Sequence, residues 1–184
     1  MKLFLYDQPT PIGTLVIAAD AADRVHAAAF AEHVDRLRTR LLHDAPDLML
    51  LPGAGPGAAG AAFERYFDGA LDALHEIAVA PAGTPGQQAV WAAVRAIPAG
   101  ATRTYGMLAR ALGRPNGARG VGAANAANPI AILVPCHRLV GQDGSLRGYA
   151  WGLERKAWLL AHEQRHATPR DAVPVSHSPP SADS

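Results

Sequence analysis

Ile130-Ala-Ile-Leu-Val-Pro-Cys-His-Arg138 decides how this chain is read, because it holds the protein's only cysteine, Cys136, directly followed by His137 and Arg138. Ile130 to Val134 is too short for a helix and too continuously apolar for a half-exposed strand, so the run predicts a buried strand that Pro135 ends. A lone cysteine is most often a small buried hydrophobe. His and Arg are unusual neighbours in an apolar core, however, and at a strand exit they place imidazole and guanidinium where both favour a thiolate. The stretch therefore predicts a nucleophile.

The rest of the chain supplies the setting. Its 184 residues are 49% hydrophobic, which suits a globular protein of one large or two small domains. No apolar run approaches the roughly 18 residues of a membrane span, and Met1 to Asp20 lacks the pattern of a secretory signal, so a cytoplasmic location is expected. One cysteine excludes an intrachain disulfide framework and a Cys-cluster zinc site. The net charge of +1 hides an asymmetry: residues 1–100 carry seven Lys/Arg against eleven Asp/Glu, and residues 101–166 carry nine against three. The basic segment contains Cys136, which points to a polyanionic partner on that side.

Residues 1–80 predict an α/β domain with a small mixed or antiparallel sheet. Lys2 to Tyr6 and Thr14 to Ala18 flank a turn and predict a hairpin, with a further strand at Val25 to Phe30. Glu32 to His43 predicts an amphipathic helix whose Arg36, Arg38 and Arg40 merely solvate it. Further elements are a strand at Leu48 to Leu51, a helix at Ala58 to Phe67 and a strand at Leu74 to Val79. His26, His33, His43 and His75 lack close metal-ligand spacing. Pro81 to Gly86 reads as the link into a mainly helical domain of residues 81–166, and the Pro/Ser-rich residues 167–184 read as a disordered tail.

Thr84 and Pro85 predict the start of a helix that ends before Pro98. Thr102 to Asn128 predicts a helix-turn-helix, with Thr104 capping the first helix, Gly113 ending it and Asn116 capping the second. That second helix, from Gly117 and Ala118 through Ala123 to Ala127, is almost all small residues. Each interior Gly costs roughly 1 kcal/mol against Ala, so close approach by another helix or a nucleic-acid groove is the expected compensation. Only Arg119 projects far from it. The glycine-rich stretch Gly141 to Gly152 predicts a loop in which Tyr149 and Trp151 supply aromatic surface, for a lid on the core or for a base pocket. Leu153 to His166 predicts a last helix with Leu153, Ala157, Leu160 and Ala161 facing inward.

Asn128-Pro129 together with Ile130 to Arg138 and the preceding helix pair closely resembles the active-site signature of the O6-alkylguanine-DNA alkyltransferases, over roughly residues 85–166. The resemblance implies direct-reversal DNA repair, in which Cys136 accepts the alkyl group of O6-alkylguanine once and is consumed, with O4-alkylthymine as a further candidate substrate. It assigns His137 to act on the sulfur through a water, Glu163 to orient His137, Asn128 to support the turn, and Tyr105 to assist the leaving base. It places Arg119, Tyr105, Gly117, Ala118 and Ala123 against the minor groove of double-stranded DNA, and Leu139, Tyr149, Ala150 and Trp151 around the base. Some members of the family carry a structural zinc in the N-terminal domain, but without cysteines in residues 1–80 none is expected here; the reaction requires no metal or organic cofactor, and a monomer is expected, with cooperative assembly on DNA left open. Gly86 departs from the family, which generally has an aromatic residue there. Two other readings compete: a non-catalytic protein that binds alkylated DNA, and a cysteine hydrolase using Cys136, His137 and Glu163.

Overall fold

A computed structural model describes residues 1–55 and 57–167; the predicted tail lies almost wholly outside the described residues. β1 (Lys2–Gln8) pairs antiparallel with β2 (Leu15–Ala19), β2 pairs antiparallel with β3 (Val25–Phe30), and β4 (Met49–Pro52) adds in parallel to β1. The sheet order is thus β3-β2-β1-β4, a small mixed sheet. β2 is buried along its whole length and β3 nearly so, which explains why neither alternates between apolar and polar residues. α1 (Val34–Asp44) and α2 (Gly57–Phe67) complete this half. Leu74 to Val79 is not a strand: Leu71–Glu76 forms a 3-10 helix, and Val79 alone bridges to Val25.

The second half is mainly helical. α3 (Pro85–Arg95) starts with a full capping box, in which the Thr84 hydroxyl accepts from the Gln87 amide and the Gln87 side chain accepts from the Thr84 amide. β5 (Arg103–Thr104) leads into α4 (Tyr105–Ala111), which Thr104 caps through the Met107 amide, and Gly113 follows it with a φ of +70°. α5 (Ala118–Ala126) begins at Gly117 with no side-chain cap, so Asn116 does not cap it. A Cβ on Gly117 would lie 2.9 Å from the Arg114 carbonyl, so the turn between the helices is too tight for a side chain there. Trp91 of α3 donates to the Ala124 carbonyl at 2.8 Å and ties α5 down.

The run Ile130 to Val134 is fully buried, as expected, but it is a turn and not a strand. Ile130 makes a single bridge to Ala28, and the chain then doubles back, with the Val134 amide donating to the Ile130 carbonyl. Ile132 sits at a φ of +67°, a strained conformation for a β-branched residue. An apolar run has the same look whether sheet or side chains surround it, so its periodicity could not separate the two. Cys136–Arg138 forms a 3-10 turn, β6 (Leu139–Val140) pairs in parallel with β5, and α6 (Leu153–His166) closes the chain. The buried face of α6 carries Lys156, Leu159, His162 and Glu163, whereas Leu153 is exposed. The apolar pattern misplaced this face because half of what it buries is charged.

Candidate active site

The chain reaches Cys136 through a turn organised by Asn128. The Asn128 amide nitrogen donates to the Ile130 carbonyl at 3.1 Å, to the Val134 carbonyl at 3.0 Å and to the Cys136 sulfur at 3.4 Å, while its oxygen accepts from the Ile130 amide at 2.9 Å. One buried side chain thus fixes both ends of the turn and touches the sulfur. Two further contacts seat the turn on the sheet edge: the Ala28 amide donates to the Pro129 carbonyl, and the Ala131 amide donates to the Ala28 carbonyl.

Behind the sulfur lies a closed polar cluster. His137 Nε2 and Glu163 Oε1 are 2.7 Å apart, and neither side chain has any exposed surface. Arg138 grips the same carboxylate, with Nη2 2.9 Å from Oε1 and Nε 3.0 Å from Oε2, and also donates to the Ile97 carbonyl. The Gly100 amide donates to Oε2 at 3.1 Å and the Tyr66 hydroxyl to Oε1 at 2.8 Å. Burial pushes the Glu163 carboxyl up, but His137 and Arg138 outweigh it and hold the group well below the usual carboxylate range. Glu163 is therefore an anion at neutral pH. Burial pushes His137 down despite Glu163, with Arg138 and Lys156 adding to the depression, so its imidazole is neutral. With Nε2 donating to Glu163, the buried Nδ1 is left with a free lone pair, and no described group bonds to it.

Electrostatics at the sulfur correct one expectation. Burial pushes the Cys136 thiol up to about 11, against the opposing pull of Asn128, the charge of Lys156 and nearby backbone amides. The resting group is a thiol. Arg138 does not help ionise it, because its guanidinium is engaged by Glu163 and a carbonyl. The cation that does bear on it, Lys156, was not singled out in the sequence: it is completely buried on α6 and donates to the Leu139 carbonyl at 2.6 Å and the Arg147 carbonyl at 2.7 Å. Its position two turns before Glu163 on one helix face was the available signal. Tyr66 gave none, since a tyrosine late in an amphipathic helix usually reads as core.

Tyr105 heads α4, half-buried, and its hydroxyl donates to the Arg147 carbonyl at 3.3 Å. Burial raises its pKa, and a negative charge on Cys136 would raise it further, so the phenol stays protonated. Gly148 faces it with a φ of +53°. Tyr149 is buried, meets His137 edge-on at 6.4 Å and leaves its hydroxyl without a partner among the described residues. Trp151 packs against Phe30 and His33 of the first half, Ala150 is exposed beside it, and Leu139 is wholly within the core. Arg119 and Ala123 are exposed on α5, while Gly117 and Ala118 are partly covered, so these residues share a helix and not the cluster around the sulfur. Arg40, read as a solvating residue, instead donates to the Ala127 carbonyl at 2.6 Å and caps the end of α5 next to Asn128.

A family model described as the DNA binding domain of 6-O-methylguanine DNA methyltransferase matches residues 85–165. The methylated-DNA–protein-cysteine methyltransferase of Salmonella typhimurium is 44% identical over 158 residues, covering 84% of this chain and 91% of that protein. Its namesake from Methanosarcina acetivorans is 39% identical over 154 residues, covering 84% and 94%. Mycobacterium tuberculosis OGT, solved in complex with DNA, matches with a TM-score of 0.72 at 37% identity, covering 93% of this chain and 97% of that one. The match to these relatives runs along most of this chain and of theirs, and the chain belongs to the methylated-DNA–protein-cysteine methyltransferase family.

Proposed function

We propose that this protein repairs DNA by direct reversal, moving the alkyl group from O6-alkylguanine to Cys136 in one turnover. The observation that carries this reading is the sulfur's setting: it is bonded to Asn128, followed in the chain by the His137–Glu163 pair, and close enough to Tyr105 of α4 for a charge on it to raise the phenol's pKa. The carbon of an O6-alkyl group is an electrophile and sulfur a soft nucleophile. A new carbon–sulfur bond forms as the carbon–oxygen bond breaks, and its electron pair leaves with the guanine.

His137 Nδ1 takes the thiol proton, directly or through a water, and Glu163 holds the resulting imidazolium. Lys156 offsets the cost of a thiolate in a buried site. The protonated Tyr105 hydroxyl offers the departing guanine a hydrogen bond. The base must leave the stack to reach the sulfur, at a cost of about a few kcal/mol that is smaller where a lesion weakens pairing. Arg119, exposed on α5, fills the vacated place, and the exposed small residues of that helix allow close approach to the minor groove. The product thioether is stable and no second cysteine resolves it, so the protein is consumed. O4-alkylthymine presents the same electrophile. A substrate within DNA calls for the compartment that holds the DNA, the cytoplasm in bacteria such as those whose repair methyltransferases this chain resembles.

Incubation with an oligonucleotide containing O6-methylguanine, followed by intact mass and peptide mapping, tests the reading. One methyl group on Cys136 is expected, and none on the Cys136→Ala protein. Binding without transfer would instead favour a damage-recognition protein, and turnover of a thioester without methylation a hydrolase. Arg119→Ala should slow repair of duplex DNA far more than reaction with free O6-benzylguanine.

A further inference from the structure

Tyr66 lies on α2, in the half of the chain where the sequence shows no catalytic arrangement, yet its hydroxyl reaches Glu163 across 97 residues. Its ring is completely buried and held edge-on by Phe67 at 5.1 Å and His162 at 5.3 Å. The ring needs no hydroxyl to stay in place. Oε1 of Glu163 receives His137 Nε2 at 2.7 Å, the Tyr66 hydroxyl at 2.8 Å and Arg138 Nη2 at 2.9 Å, with Arg138 Nε more distant at 3.2 Å.

Each donor withdraws part of the oxygen's negative charge, and in a buried site no solvent replaces a donor that is lost. We propose that Tyr66 is a positioning residue for alkyl transfer: by sharing the Glu163 oxygen that holds His137, it limits how firmly that carboxylate keeps a proton on the imidazole. The proposal rests on the roles given above to His137 and Glu163. An imidazole held too strongly by its carboxylate would stay protonated and could not accept the thiol proton.

The other groups facing this pair are fixed by the fold: Cys136 and Arg138 from the same turn, Tyr149 from the following loop, Lys156 and His162 from α6, and the Gly100 amide. None of them is changed by replacing Tyr66 with phenylalanine. That substitution should therefore leave Glu163 more basic toward His137 alone.

The experiment measures the methyl-transfer rate from an O6-methylguanine duplex against pH, and separately the NMR titration of His137 in the DNA-free protein. Tyr66→Phe is expected to move the acid limb of the rate, and the His137 titration, upward by about half a pH unit or more. Site-specific 3-fluorotyrosine at position 66, a stronger donor of nearly the same size, should move both downward. Unshifted profiles in both proteins, or an equal loss of rate at every pH, would overturn the proposal. If Tyr66→Phe does not fold, the fluorotyrosine protein decides alone. If the unaltered protein transfers no methyl group, the repair reading fails, and the His137 titration still tests the coupling.

Discussion

The Cys136 thiol is held in its protonated form by burial, with its pKa pushed up to about 11, so no reactivity is stored in a standing thiolate; in the proposed reaction His137 takes the proton at the moment of attack. Iodoacetamide labelling of the DNA-free protein should therefore be slow at neutral pH and break well above the ordinary thiol value. A break at or below that value would contradict the buried-thiol account. Lys156→Met should raise the break further and slow repair at neutral pH, because it removes the cation bearing on the sulfur and strands the Leu139 and Arg147 carbonyls. Glu163 behaves oppositely. Its folded-state pKa lies below its unfolded value, so it contributes stability above the ordinary carboxylate range that is lost as pH falls through and below it. Thermal melts of Glu163→Gln against pH should show a flatter acid limb than the unaltered protein, together with lower stability at pH 7, since Arg138 loses its anion in a buried site.

The glycines at the start of α5 and within it differ in what surrounds them. Gly117 faces the Arg114 carbonyl at a distance no side chain tolerates, so Gly117→Ala should lower stability by about 1–3 kcal/mol in chemical denaturation. A Cβ on Gly120 meets nothing within 4 Å; Gly120→Ala should raise stability by up to about 1 kcal/mol while weakening DNA binding in a titration. A gain in both would remove the argument that α5 is kept small for a partner's approach. Elements defined by local chemistry were legible in the sequence. The Thr84 and Thr104 caps, the hairpin of β1 and β2, and α2 follow from neighbouring residues alone. What could not be read depended on distant ones: the turn at Ile130 to Val134 needs Asn128 and the edge of β3, and the inner face of α6 needs Arg138 and His137 to accept Glu163. Cys136, His137 and Asn128 lie in one short motif, whereas Glu163 was marked only by the family resemblance; the structure pairs Asn128 with the sulfur and Glu163 with His137. Tyr66 and Arg40 carry no local mark because their partners lie 97 and 87 residues away.

Across the whole molecule, the divide near residue 80 separates two stretches of chain more than two working units. The first half contributes Tyr66 to the Glu163 carboxylate, Arg40 to the end of α5, the edge of β3 to the reactive turn, and Phe30 and His33 to Trp151. A fragment of residues 81–167 should therefore lack a cooperative thermal transition and the near-UV circular dichroism of a packed core, although it contains Cys136, His137 and Glu163. A cooperative, active fragment would show that these cross-contacts are dispensable.

The seating of the Cys136 turn on β3 also bears on solubility. An outermost strand with free amides and carbonyls is a template for pairing with another chain, and β3 is an almost wholly buried apolar strand at the sheet's border. Pro129 to Ala131 occupies part of that border, and Val79 occupies another part through Val25. The backbone that presents the sulfur thus also covers part of the sheet's border, so a change that loosens the turn should bare an edge able to pair with another chain in the same event that displaces Cys136.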